Sequence, residues 1–185
     1  MKKSGLVVVL MMMGTLAVAQ WGTEDLSENP TTLERLYTGG GIGGGFSTYY
    51  AFVSASPLIG YNITNRLAGG VQFTYRYTNY RSFRPSISTN DYAMGPFLRF
   101  KVAGPFFVHG EYEFLNYDKP NENVRGVFNS LLLGAGIFQP VAPRAGYYIA
   151  ALYNFSYTSS NTLNSPYASP LVLRVGFTFG FKDAF

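Results

Sequence analysis

From Tyr37 onward the chain alternates apolar and polar positions with a period of two, the spacing of a β-strand with one apolar face. The clearest stretch is the last, where Leu171, Leu173, Val175, Phe177, Phe179 and Phe181 share one face and Val172, Arg174, Gly176, Thr178 and Gly180 the other. Before it, Tyr147, Ile149, Ala151, Tyr153, Phe155 and Tyr157 oppose Gly146, Tyr148, Ala150, Leu152, Asn154 and Ser156. Further apolar faces run Leu131 to Ile137, Phe106 to Phe114, Met94 to Val102, Val71 to Tyr77 and Ala55 to Ile63, each at every second residue. A first strand lies within Tyr37 to Phe46. Glycine at 39, 40, 41, 43, 44 and 45 leaves its face unassigned, and a hairpin near Thr48 joins it to the next strand. The expectation is eight strands.

The connections alternate short and long. Asn62 to Arg66, Ala103 to Pro105 and Ala142 to Arg144 are tight, whereas Tyr80 to Asn90, Asp118 to Gly126 and Ser159 to Pro170 are long, polar and rich in Asn, Ser and Pro. In an up-and-down barrel this puts the tight turns and both chain ends on one side and the long loops on the other, the asymmetry of an outer-membrane barrel. Strands of about 11 residues at about 3.3 Å each, tilted about 40°, span about 28 Å, enough for the apolar band of such a barrel.

Composition sharpens this. Only 13% of the 185 residues are charged while 47% are hydrophobic, so a water-facing surface over the whole molecule is hard to build. There is no Cys, which excludes a disulfide scaffold, a thiolate metal site and a lipidated Cys anchor. Met1-Lys2-Lys3, the apolar run Leu6 to Met13 and Ala17-Val18-Ala19 read as a signal peptide over residues 1–19, cleaved before Gln20. The apolar stretch is short for a spanning helix, and no later segment has the length for one. Removing Lys2 and Lys3 from 14 cations leaves 12 − 10 = +2, which is no charge for binding nucleic acid.

A secreted lipocalin-like barrel would share the signal and the strand count. It would need Phe, Tyr, Leu and Ile from every strand to point inward, and an eight-stranded lumen is only just wide enough for side chains to fill. The set rich in Gly, Ala, Ser and Thr fits inside instead. The expectation is thus an all-β, eight-stranded antiparallel up-and-down transmembrane β-barrel over residues 36–185, following a flexible segment at 20–35.

The residues Ser56-Pro57-Leu58-Ile59-Gly60-Tyr61-Asn62-Ile63-Thr64-Asn65-Arg66-Leu67-Ala68-Gly69-Gly70, followed by Phe73-Thr74-Tyr75-Arg76-Tyr77, resemble the second and third strands of the outer-membrane β-barrel domain family of small Gram-negative surface proteins. Gly95-Pro96-Phe97-Leu98-Arg99-Phe100 resembles its fourth strand and Arg174 to Phe181 its last. The resemblance covers about Tyr37 to Phe185. It implies localisation in the cell outer membrane, with outer-membrane lipids and the insertion machinery as partners and no shared catalytic residues. Phe181 or Phe185 would be the terminal aromatic read by that machinery, Asp183 interrupting the alternation before the latter.

Candidate chemistry concentrates on the inward set: Arg76, Arg99, Lys101, Glu111, Glu113 and Arg174, with His109 beside them. Unpaired buried ions cost several kcal/mol, so these must pair, and Arg99 and Lys101, across a tight turn from His109, Glu111 and Glu113, are expected as their cross-strand neighbours, directly or diagonally. The reading is a salt-bridge plug that seals the lumen; the alternative is a path for small solutes or hydrophobic compounds. Neighbouring cations would hold Glu111 and Glu113 ionised, which opposes general-acid work. A lipid hydrolase or acyltransferase would need His109, the sole His, to face outward, whereas alternation turns it in. The Gly-rich run from Gly39 has G-x-G-x-x-G spacing but no helix pattern after it, so no nucleotide site is expected; nor is any metal or cofactor. Tyr75, Tyr77, Tyr153, Tyr157, Phe177 and Phe181 suit interfacial aromatic belts. Arg81 and Arg84, in a long loop, could contact lipopolysaccharide or simply be solvated.

Overall fold

The computed structural model describes residues 32, 33, 35–46, 50–81, 84–119, 124–157, 167 and 169–180. The segment 1–19 expected as a signal peptide, most of the segment at 20–35, the expected first hairpin near Thr48, and Phe181 and Phe185 lie outside the described residues.

The strands are β1 (Leu36–Phe46), β2 (Tyr50–Asn62), β3 (Leu67–Tyr80), β4 (Ile87–Ala103), β5 (Phe106–Asp118), β6 (Arg125–Ala142), β7 (Ala145–Asn154) and β8 (Leu171–Gly180). Each pairs antiparallel with the next, and β1 pairs with β8 to close an eight-stranded up-and-down barrel. Burial follows the alternation, most strictly from Asp91 to Phe100 in β4, where each inward residue is buried and each outward one exposed. Among the outward residues are Phe73, Met94, Leu98, Phe114, Leu133, Ile149, Leu173 and Phe177. β1 has its inner face at Tyr37, which is 2% exposed.

The turns are closed by local chemistry. In the β2–β3 turn the Thr64 Oγ1 accepts from the amides of Arg66 (3.2 Å) and Leu67 (2.9 Å), which holds the chain reversal in place. Arg35 reaches the same turn and donates from Nη1 to the Ile63 carbonyl at 3.0 Å. The β4–β5 turn needs a left-handed residue, and Gly104 supplies it at φ 51°.

Two of the long connections differ from what the sequence suggests, one shorter and one longer. Strand pairing continues Tyr77↔Asn90 and Tyr80↔Ile87, so the β3–β4 loop is only 81–86. Polar Asn79, Ser88 and Asn90 sit in paired strand because their backbone groups find ladder partners and their side chains bond one another or Tyr hydroxyls. β7 in turn ends at Asn154, which leaves Phe155 and Tyr157 past the strand rather than on its outward face.

Filling the lumen sets a steric rule. Tyr37 lies opposite Gly60, Phe97 opposite Gly70, Phe107 opposite Gly136, Tyr148 opposite Gly176 and Tyr117 opposite Gly126. In every pair a Cβ added to the glycine would collide with the aromatic ring, so each inward ring lies across a neighbouring strand that has no side chain there. Tyr37, Phe97, Phe107 and Tyr148, with Leu58, Leu132, Phe138 and Leu152, form an apolar layer toward the turn end. A smaller one of Ala93, Leu115 and Tyr117 lies toward the loop end.

Gly70→Ala should therefore destabilise the barrel by about 1–3 kcal/mol, the usual cost of overpacking. Its Cβ would lie 2.7 Å from Phe97 Cζ and 2.8 Å from Gly60 Cα. Gly44→Ala, where a Cβ meets only the Phe52 carbonyl oxygen at 3.3 Å, should change stability by less than about 0.5 kcal/mol. Urea unfolding of the two variants in detergent, followed by tyrosine fluorescence, checks the contrast; equal losses would remove the ring-over-glycine rule.

Candidate functional site

The buried charges sit between the two apolar layers, and each is placed by strand register. Arg99 on β4 lies directly across from His109 on β5, and its Nε donates to His109 Nδ1 at 3.0 Å. Its guanidinium is also held against aromatic faces, 4.2 Å from the Tyr148 ring centroid, 4.8 Å from Phe97 and 5.6 Å from Phe107. Arg is always protonated, so Nδ1 of His109 must be the acceptor, and Nε2 carries the proton that it donates to Glu111 Oε2 at 3.2 Å. His109 is therefore a neutral bridge between a cation and a carboxylate.

Both carboxylates receive their cation from across the lumen. Arg174 on β8 donates from Nη2 to Glu111 Oε1 at 3.0 Å and to Glu113 Oε2 at 3.3 Å. Glu113 Oε1 accepts in addition from the Tyr167 hydroxyl, brought in by the β7–β8 loop. Burial, reinforced by the Glu113 carboxylate, pushes the Tyr167 phenol well above its usual range, so it remains a donor. Closer to the loops, Arg76 pairs with Asp91 directly opposite, Nη2 to Oδ2 at 2.8 Å, and lies 5.9 Å from the Tyr167 ring centroid. Asp91 Oδ1 accepts the Asp118 amide at 3.1 Å, which links this pair to an outer tier where Arg125 bonds Asp118 and Asn116. Arg76, Arg99 and Arg174 balance Asp91, Glu111 and Glu113, and the waist of the barrel is neutral.

Arg99 is the direct cross-strand neighbour of His109 and the diagonal neighbour of Glu111, as expected, but the cation that Glu111 and Glu113 share is Arg174. The residue opposite Glu111 on β4 is Phe97, while Arg99 is one inward step nearer the turn, level with His109. Lys101 is level with Phe107 at the turn end and half-buried. Asp91 and Tyr167 were not anticipated. Asp91 is in phase with Ala93 and Phe97, so carrying the β4 alternation one step back would have found it. Nothing in the sequence marks Tyr167, which lies past the end of β7, beyond the reach of its alternation. Arg81 and Arg84 are exposed on the β3–β4 loop.

The outward face carries two aromatic bands. Tyr75, Tyr77, Tyr92 and Tyr153 are exposed toward the loops, with Tyr75 OH donating to Asn90 Oδ1 at 2.7 Å. Phe106, Phe177 and Phe179 are exposed toward the turns. Among the described residues no group of three or more His, Asp or Glu could hold a metal ion. Comparison of the chain with protein-family models, curated proteins and solved structures found no match. The class is thus defined by the fold alone, a closed eight-stranded antiparallel barrel with a charged, filled waist.

Arg174→Ala should destabilise the fold by about 3–5 kcal/mol, because two buried carboxylates lose the cation they share. Adding Glu111→Gln and Glu113→Gln to it should recover part of that loss. A urea-unfolding cycle measures both; a single variant as stable as wild type would show that the network does not hold the waist together.

Proposed function

We propose that this protein is an outer-membrane barrel of a Gram-negative cell, exported by its cleaved signal peptide, whose role is structural or surface-binding through the long loops while the lumen stays sealed. The observation that carries the reading is the outward face: large apolar side chains exposed on every strand, bounded by aromatic bands, with Arg76, Asp91, Arg99, Glu111, Glu113 and Arg174 turned inward and the outward Arg125–Asp118 pair confined to the loop end. Water would make that face costly, whereas a bilayer's apolar core suits it and the headgroup zone suits the bands.

A sealed lumen is supported by the charge-balanced waist and the packed layers on either side of it. The channel alternative needs free cross-section along a lumen in which Leu132, Leu152, Asn154 and Thr178 are fully buried. A catalytic role finds little support in His109, which is 4% exposed and engaged through both ring nitrogens. What the design leaves for contact with the outside is the loop end, where Arg81 and Arg84 would meet lipopolysaccharide phosphates.

The mature protein should fractionate with outer membranes and migrate differently on gels when unboiled, and tags in loop 81–86 should be reached by antibody in intact cells while tags at Gly104 stay hidden. Planar bilayers containing it should show no stable conductance steps. Recovery as a soluble monomer would overturn the membrane reading, and well-defined channels would favour the solute path.

A further inference from the structure

The outward face has a marked hollow across β3 to β6. In register across β3 to β6, Gly69 lies beside Leu98, Leu98 beside Gly110 and Gly110 beside Leu133, so a row of four outward positions contains two residues without side chains. Leu67, Leu98, Phe100, Val108 and Leu133 wall a concavity of about 470 Å³ with Gly110 at its floor. Unlike Gly70, Gly110 is not required by internal packing: a Cβ there would meet only Leu133 Cδ2, at 3.1 Å. The hollow is apolar and of the size that holds a small ligand or a length of hydrocarbon chain.

Its lower end opens at a cationic rim. Leu67 and Phe100 pair in register, and the adjacent exposed Arg66 accepts the Lys101 amide on its carbonyl at 2.7 Å, so Arg66 begins where the hollow ends, while Lys101 continues the inward alternation of Phe97 and Arg99. Among the described residues the turn end carries Arg35, Arg66, Lys101 and Arg144 and no acid. The described carboxylates, Asp91, Glu111, Glu113 and Asp118, lie in the lumen or toward the loops. Apolar groove and positive rim are the two halves of a phospholipid site.

We propose that the hollow seats one acyl chain of an anionic glycerophospholipid from the leaflet at the turn end, with Arg66 taking its phosphate. The inference rests on the membrane reading above. A second copy is the poorer occupant, because two barrels inserted in the same direction would bring like-charged rims together.

Native mass spectrometry of the mature chain, released from detergent micelles with added dioleoyl phosphatidylglycerol or dioleoyl phosphatidylcholine, tests it. Wild type should retain phosphatidylglycerol in about fivefold preference, the order expected for one Arg near an anionic surface. Gly110→Leu should reduce adducts of both lipids, and Arg66→Glu should abolish the preference alone. Val108→Phe fills the hollow from a residue that already faces outward, so it keeps the test open if Gly110→Leu does not fold; unboiled gel migration reports folding of each variant. Equal retention of the two lipids, a preference untouched by Arg66→Glu, or a dimer lost in Gly110→Leu without lipid adducts would each overturn the proposal. In a protein that still fractionates with outer membranes those results leave the membrane reading standing, whereas a protein soluble without detergent would fail both.

Discussion

An eight-stranded barrel closes around a lumen that admits little more than one layer of side chains. Any ring that points inward must therefore find space on a neighbouring strand, and the recurring answer here is a glycine directly opposite. Tyr37 over Gly60, Phe97 over Gly70, Phe107 over Gly136 and Tyr148 over Gly176 step around the barrel in this way. The glycine content of the inner face is thus a packing requirement. It accepts the entropic cost of glycine in a strand in exchange for a dense core.

The same narrowness governs the charges. Ions that could not reach water must satisfy one another, and a small lumen lets partners meet from non-adjacent strands, as Arg174 on β8 meets Glu111 and Glu113 on β5. His109 completes the chain by accepting from one side and donating to the other without adding charge. Arg99 needs no carboxylate of its own, since three aromatic faces and an imidazole nitrogen surround it. The polar waist and the aromatic layers are therefore one packing unit, with Phe97 stacked 5.6 Å from His109 and Tyr148 against Arg99.

With ions and small residues consumed inside, the large apolar residues are left on the outside, where alternation puts them whether or not the surroundings suit them. The outer face then varies only in relief and in what lies at its two ends. Aromatic bands mark both ends, and the floor at Gly110 breaks the relief beside a rim whose described charges are all positive.

By itself the sequence determined the number of strands, their up-and-down order and which residues face in, because side-chain direction in a strand is a local property of period two. That is why Arg76, Arg99, His109, Glu111, Glu113 and Arg174 could be placed inside from their parity alone. The tertiary structure decided who meets whom. Register set Arg99 level with His109 rather than with a carboxylate, and closure of β8 onto β1 swung Arg174 to the carboxylates of β5. Loop limits were also decided there, since backbone pairing carries polar Ser88 and Asn90 into β4 against their composition. Tyr167, which meets Glu113, lies past the end of β7, where no periodic signal exists, and parity cannot report a contact made across a closed ring.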